Sequence, residues 1–114
     1  MKYIIQSPNK VVSLEKEEVI QDKFRRFEKK LPGLMRCDIV LRKEKNGEQE
    51  SYIVEGRLLI PGNDLFAKEQ GTSFEIAAEK VCVDLENQIR KQKDRKNKRL
   101  VKPADSYVSD EELE

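Results

Sequence analysis

From Thr72 to Ile89 the chain reads TSFEIAAEKVCVDLENQI, and Phe74, Ala78, Val81, Leu85 and Ile89 recur at helical spacing, with Cys82 at the edge of the stripe. This segment constrains the fold more than any other. A helix with one apolar stripe gains its stability by packing that stripe, so the rest of the chain must supply an apolar surface to receive it. Thr72-x-x-Glu75 has the spacing of a capping box, in which the threonine hydroxyl serves the Glu75 amide and the Glu75 side chain reaches back. The stripe stops at Ile89, yet good helix formers continue to about Lys98. A helix of ~26 residues is ~39 Å long at 1.5 Å per residue, so its last turns are expected to project past the core.

Short extended segments supply the receiving surface. KYIIQ (Lys2–Gln6) is a β-branched and aromatic run stopped by Ser7-Pro8-Asn9, and it predicts a first strand. Cys37, Ile39 and Leu41 alternate with Asp38, Val40 and Arg42, the pattern of a half-buried strand. Asn46-Gly47 signals a hairpin into a third strand, ESYIVEGRLLI (Glu50–Ile60), in which Gly56 suggests a bulge or bend. Pro61-Gly62-Asn63 then turns the chain into a fourth strand over about Asp64–Glu69.

Between the first two strands, Ser13 is placed to cap a helix from Leu14 to Leu31. Ile20, Phe24, Phe27 and Leu31 share one narrow face of it, and Pro32-Gly33 stops it. Acids fill its first turns (Glu15, Glu17, Glu18) and cations its last (Arg25, Arg26, Lys29, Lys30), as the helix dipole favours. The order β-α-β-β-β-α predicts an α+β two-layer sandwich, a four-stranded sheet with two helices on one face. Its α-β-β-β-α portion has the element order of double-stranded-RNA-binding domains. Those carry their basic motif at the start of the second helix, whereas here the charge sits at its end.

That charge is concentrated. QIRKQKDRKNKR (Gln88–Arg99) holds seven Lys or Arg and one acid, a local +6 in a chain whose net charge is +1. Cations at this density repel one another unless an anion is present, which is the footprint of a polyanion-binding surface. Helical rotation places Lys80, Asn87, Lys91, Arg95 and Lys98 in one stripe, interrupted by Asp84, and Lys23, Arg26 and Lys30 in a stripe on the first helix. Two such flanks on helices sharing a sheet face are expected to merge into one positive surface; Lys93 falls on the opposite side of its helix. Few aromatics are free for base stacking and there is no RNP pattern, so phosphate and sugar contacts by shape fit better than base readout.

Other classes find less support. The chain has no histidine, no Gly-rich phosphate loop and no GxSxG elbow, so catalysis is not expected. Asp38 with Glu44, or Asp64 with Glu69, are the carboxylate pairs on offer, and a solvated strand face explains them. Two lone cysteines, Cys37 and Cys82, without CxxC or histidine do not make a zinc site, and their apolar settings predict buried free thiols. No cofactor, metal or small-molecule substrate is expected. No run is long enough to span a membrane and the first residues are too polar for a secretory signal, so the expected location is the cytoplasm. From Leu100 the composition changes to VKPADSYVSDEELE, with five acids after Lys102. The expected organisation is a folded domain over residues 1–99 and an acidic disordered tail over 100–114.

KYIIQS, DKFRRFEKKL, DLFAKEQGTSFEIAAEKV and LENQIRKQKDRKNK, in this order, resemble the ribosome hibernation-promoting factor and ribosome-associated inhibitor A (protein Y) family over residues 1 to about 99. The resemblance implies binding to the small ribosomal subunit between head and body, occluding tRNA and mRNA sites in stationary or stressed cells. It implies rRNA contacts by Lys23, Arg26, Lys30, Lys80, Lys91, Lys93 and Arg95, and a monomer off the ribosome. Lys16 stands where relatives usually carry an apolar residue. SDEELE is similar to the acidic ending of the short inhibitor-A type. Relatives have also been described as modulating an alternative sigma factor, so a protein-binding adaptor is a second expectation and a free structured-RNA-binding module a third.

Overall fold

The strands form as expected, and their register shows why the turns fall where they do. The structure, a computed structural model, describes residues 1–8 and 12–101, the last eight of these as backbone only. The expected acidic tail therefore lies outside the described residues, except for Leu100 and Val101. Strands β2 (Arg36–Asn46), β3 (Gln49–Ile60) and β4 (Asn63–Gly71) make an antiparallel meander, and β1 (Lys2–Gln6) adds to it parallel to β2, giving the order β1-β2-β3-β4. Ile60 pairs with Asn63, and Pro61-Gly62 make the turn between them. Proline presets the first turn position, and Gly62, with φ +83°, takes the second at no steric cost.

Helices α1 (Leu14–Phe24), α2 (Arg26–Lys30) and α3 (Phe74–Val101) complete the chain. The expected single helix from Leu14 to Leu31 is jointed at Arg25. There the Arg25 N–H bonds to Asp22 O at 3.2 Å and the Glu28 N–H to Arg25 O at 3.0 Å, three residues back rather than four. The joint keeps Phe24 and Phe27 both fully buried, their ring centroids 6.2 Å apart. The start of α3 also differs from the capping box. Ser73, not Thr72, is the cap, its hydroxyl accepting from the Ile76 N–H at 3.1 Å, and Glu75 turns away to pair with Lys16 of α1.

The core lies between the helices and one sheet face. Ile20, Phe24 and Phe27 meet Cys37, Ile39, Leu41, Val54 and Leu58 from the sheet, and Ala78, Val81, Cys82, Leu85 and Ile89 from α3. Gly56 is not a bulge: β3 runs unbroken, with Gly56 opposite Ile39 and Ala67. A Cβ there would sit 2.9 Å from both the Phe24 ring and Val81 Cγ1, so the glycine is what lets α1 and α3 approach the sheet together. Cys37 and Cys82 are buried free thiols, and burial pushes both up to about 12. No helix among the described residues is long and apolar enough to cross a membrane.

Candidate nucleic-acid interface

α3 has two flanks on either side of its buried stripe, and the cations selected from sequence divide between them. At about 100° per residue, Glu75, Glu79, Glu86 and Lys93 fall on one flank, and Lys80, Asp84, Asn87, Lys91 and Arg95 on the other. Ile76, Val83 and Arg90 lie exposed along the crest between them.

The first flank faces α1 and α2, joined by a ladder of ion pairs. Lys16 pairs with Glu75. Lys23 Nζ lies 3.6 Å from Glu79 Oε1. Arg26 Nη2 donates to Glu79 Oε1 at 2.9 Å and its Nη1 to Glu86 Oε2 at 3.3 Å, while its Nε is anchored on Lys23 O at 2.9 Å. Lys30 Nζ lies 3.9 Å from Glu86 Oε2. Arg26 holds the Glu79 carboxyl below the usual carboxylate range, and Lys16 does the same for Glu75, by hydrogen bonding first and charge second. The ladder brings four cations against three carboxylates, so little positive charge remains along it.

The second flank faces β4. Lys80 Nζ donates to Gln70 O at 3.1 Å, and Gln88 Nε2 donates to Phe66 O at 2.8 Å. Asp84, which interrupts the basic stripe, stands beside Glu69 of β4, and its carboxyl lifts the Glu69 carboxyl above its ordinary range. Lys80 is therefore held at the sheet edge beside an acidic pair.

Past Ile89, the last buried residue of the stripe, α3 runs on to Val101. Twelve more residues at 1.5 Å per residue carry it ~18 Å farther. Lys91 and Lys93 are exposed there, and among the described residues no ion pair engages either. Arg90 Nη2 donates to Asn87 Oδ1 at 2.6 Å. Arg95 belongs to this same stretch of α3, described as backbone.

The structure thus brings Lys23, Arg26 and Lys30 together, sets Lys80 apart on the far flank, and leaves Lys91, Lys93 and Arg95 on the projecting end. The two stripes do not merge along their length. α1 packs on the Cys82 side of α3, where Cys82 Sγ donates to Lys23 O at 3.7 Å, whereas the Lys80 stripe overlooks β4. Lys30 reaches Glu86, and Lys93, which belongs to that flank and not to the Lys80 stripe, follows two turns farther along it. Glu79 and Glu86 were not singled out from the sequence. Their seven-residue spacing opposite a cationic helix was the available signal.

The outer sheet face offers a different character. Arg36 makes a two-pronged bond to Asp38 at 2.8 and 3.0 Å, Arg42 donates to Glu55 at 2.6 Å, and Arg57 lies 4.8 Å over the Phe66 ring. Of the carboxylate pairs considered for catalysis, Asp38 is taken by Arg36, Asp64 lies 3.9 Å from Arg57, and Glu69 faces Asp84 rather than Asp64. Among the described residues no group of three potential metal ligands comes together.

Residues 3–97 match the family described as sigma 54 modulation protein / S30EA ribosomal protein. Among solved structures, a ribosomal subunit interface protein from Coxiella burnetii superposes with a TM-score of 0.69 at 18% identity, covering 82% of this chain and 98% of that one. The Protein Y N-terminal domain of Thermus thermophilus superposes with a TM-score of 0.63 at 19% identity, covering 79% of this chain and 93% of that one. At these identities the structures show a shared fold. No curated protein gives a significant sequence match.

Proposed function

Because the chain belongs to the family of sigma 54 modulation proteins and S30EA ribosomal proteins, we propose that it binds the small ribosomal subunit between head and body, occludes the tRNA and mRNA sites and holds ribosomes inactive in stress or stationary phase. The observation that carries this reading is the bare end of α3. A helix that continues for about three turns past its last buried residue, and on which Lys91 and Lys93 enter no ion pair among the described residues, serves no core and is built to meet an external polyanion. Lys91, Lys93 and Arg95 form the primary grip, with Lys30 joining them at the α2 end. Lys23, Arg26 and Lys80 reach phosphate by sharing or exchanging their present partners.

The family description and the name of one structural neighbour, a ribosomal subunit interface protein, support a ribosomal partner and with it a place in the cytoplasm, and the shortage of aromatics free for stacking supports backbone rather than base contacts. The ribosome-binding unit is residues 1–99. The acidic segment 100–114 is repelled by phosphate and takes a path toward ribosomal protein or the mRNA channel. Off the ribosome the protein is a monomer, with no enzymatic role.

Sedimentation of a stationary-phase lysate through a sucrose gradient tests the reading: the protein is expected to co-migrate with small subunits or whole ribosomes at low salt and to be released as salt rises. Persistence at the top of the gradient under all conditions would overturn it. The sigma-factor wording of the family description favours a second reading as a protein-binding adaptor, with the ion-paired outer sheet face as its surface; that reading requires the protein to leave the ribosomal fractions and co-migrate with transcription machinery.

A further inference from the structure

The ion-pair ladder has a consequence for RNA choice, one that rests on the ribosome-binding reading above. Lys16, Lys23, Arg26 and Lys30 would by themselves present four charges along α1 and α2, next to the basic end of α3. Glu75, Glu79 and Glu86 reduce that to +1, and they do so from a second helix, across a packed interface. A mere surplus of acid would not be arranged this way. Arg26 is forked between two carboxylates at 2.9 and 3.3 Å and pinned behind by Lys23 O, so its guanidinium has a fixed position and direction. Such a cation answers to a phosphate only where that phosphate arrives in the right place to compete with a carboxylate.

We propose that Glu79 and Glu86 are specificity-determining residues, which occupy the α1–α2 cations so that RNA in general is held by the end of α3 alone and only a surface matching the whole helical layer engages both. The exposed fractions leave room for exchange: Arg26 and Glu86 side chains are 30% and 28% exposed, packed into the helical layer yet open to solvent. The residues discriminate by withholding charge, a repulsive device on a surface otherwise built for attraction.

The test compares Glu79→Gln/Glu86→Gln with a control of equal charge change, Glu44→Gln/Glu48→Gln, two exposed acids of the β2–β3 hairpin that themselves enter no ion pair among the described residues. The probes are a non-ribosomal RNA duplex and purified small subunits. For the duplex, the Glu79/Glu86 variant is expected to gain about tenfold in affinity at moderate salt, and its log–log salt slope to steepen by ~1.4–1.8, the signature of two further phosphate contacts. For small subunits the gain is expected to be smaller, so the preference for subunits over duplex falls. The control is expected to leave that preference unchanged. Glu86→Gln alone, which keeps the Arg26–Glu79 bond, gives a better-folded variant with an intermediate change, and thermal melts establish that each variant is folded at the assay temperature. A duplex affinity and slope equal to wild type, or a control that matches the double variant, overturns the inference. Failure of the wild type to bind subunits sinks the ribosome reading instead, and the duplex arm still judges the glutamates.

Discussion

The two flanks of α3 are met by different elements, and the carboxylates there respond in opposite ways. On the α1–α2 flank, Glu79 meets Lys23 and Arg26 and is held below the usual carboxylate range. On the β4 flank, Glu69 meets Asp84 and is held above it. The cations differ in the same way: Arg26 is bound by two carboxylates, while Lys80 takes a backbone carbonyl. The element lying alongside decides the outcome, since α1 and α2 bring cations and β4 brings an acid and a row of carbonyls. Counted along α3 alone, Glu75, Glu79, Glu86 and Lys93 sum to −2 and Lys80, Asp84, Lys91 and Arg95 to +2, and neither sum shows what the neighbouring element does to it.

The harshest test removes what both flanks share. Leu85 is fully buried on the stripe between them, and Leu85→Ala is expected to cost about 2–5 kcal/mol in a denaturant melt. Both flanks should loosen together; a loss below about 0.5 kcal/mol, the range of surface changes, would mean that the stripe does not carry α3. Gly56→Ala should come next, at about 1–3 kcal/mol, because the added methyl meets Phe24 and Val81 at 2.9 Å. It should separate the flanks. Hydrogen exchange is expected to quicken in α1 more than in β4, and equal quickening would show that the two flanks loosen as one.

Acid separates the flanks by sign. Glu79 has a lowered folded pKa, so its contribution is complete above the unfolded value of about 4.3 and is lost as pH falls through the folded one. Glu69 has a raised folded pKa, so its contribution is present below the unfolded value and is lost as pH rises through the folded one. Glu79→Gln should therefore flatten the acid limb of the stability curve. Asp84→Asn should move the Glu69 titration, followed by NMR, back toward the ordinary carboxylate range. The smallest effect belongs to the part of α3 beyond both flanks. Lys91→Ala/Lys93→Ala should leave stability within about 0.5 kcal/mol while reducing the salt slope of subunit binding by ~1.4–1.8. An unchanged slope would remove these residues from the grip.

Much of this was legible in residue order. Stripes with a period of 3.6 and alternation with a period of 2 gave every strand and the full burial of Phe24, Phe27, Val81 and Leu85, because burial leaves a local pattern. The run of α3 past its buried stripe was also legible, since the apolar stripe ends while the helix formers do not. What escaped was whatever depends on which element lands beside another. Lys23, Arg26 and Lys30 look solvated on a helical wheel, and only the placement of α1 against Glu79 and Glu86 shows otherwise. Thr72 and Ser73 are both competent caps one residue apart, and the choice follows from where β4 delivers the chain. Gly56 carries the same symbol whether it makes a bulge or clears space for a ring.

β4 closes the sheet, and an open strand edge is the template on which one molecule of a protein recruits another. Phe66 and Gln70 sit an even number of residues apart, so their carbonyls point the same way along that edge, and Gln88 and Lys80 already occupy them. A second strand would have to evict both side chains and bring its backbone up against the Lys80 ammonium. α3 therefore guards that edge against fibre-like stacking with Lys80 and Gln88, both ahead of Ile89, and its basic end lies beyond that task.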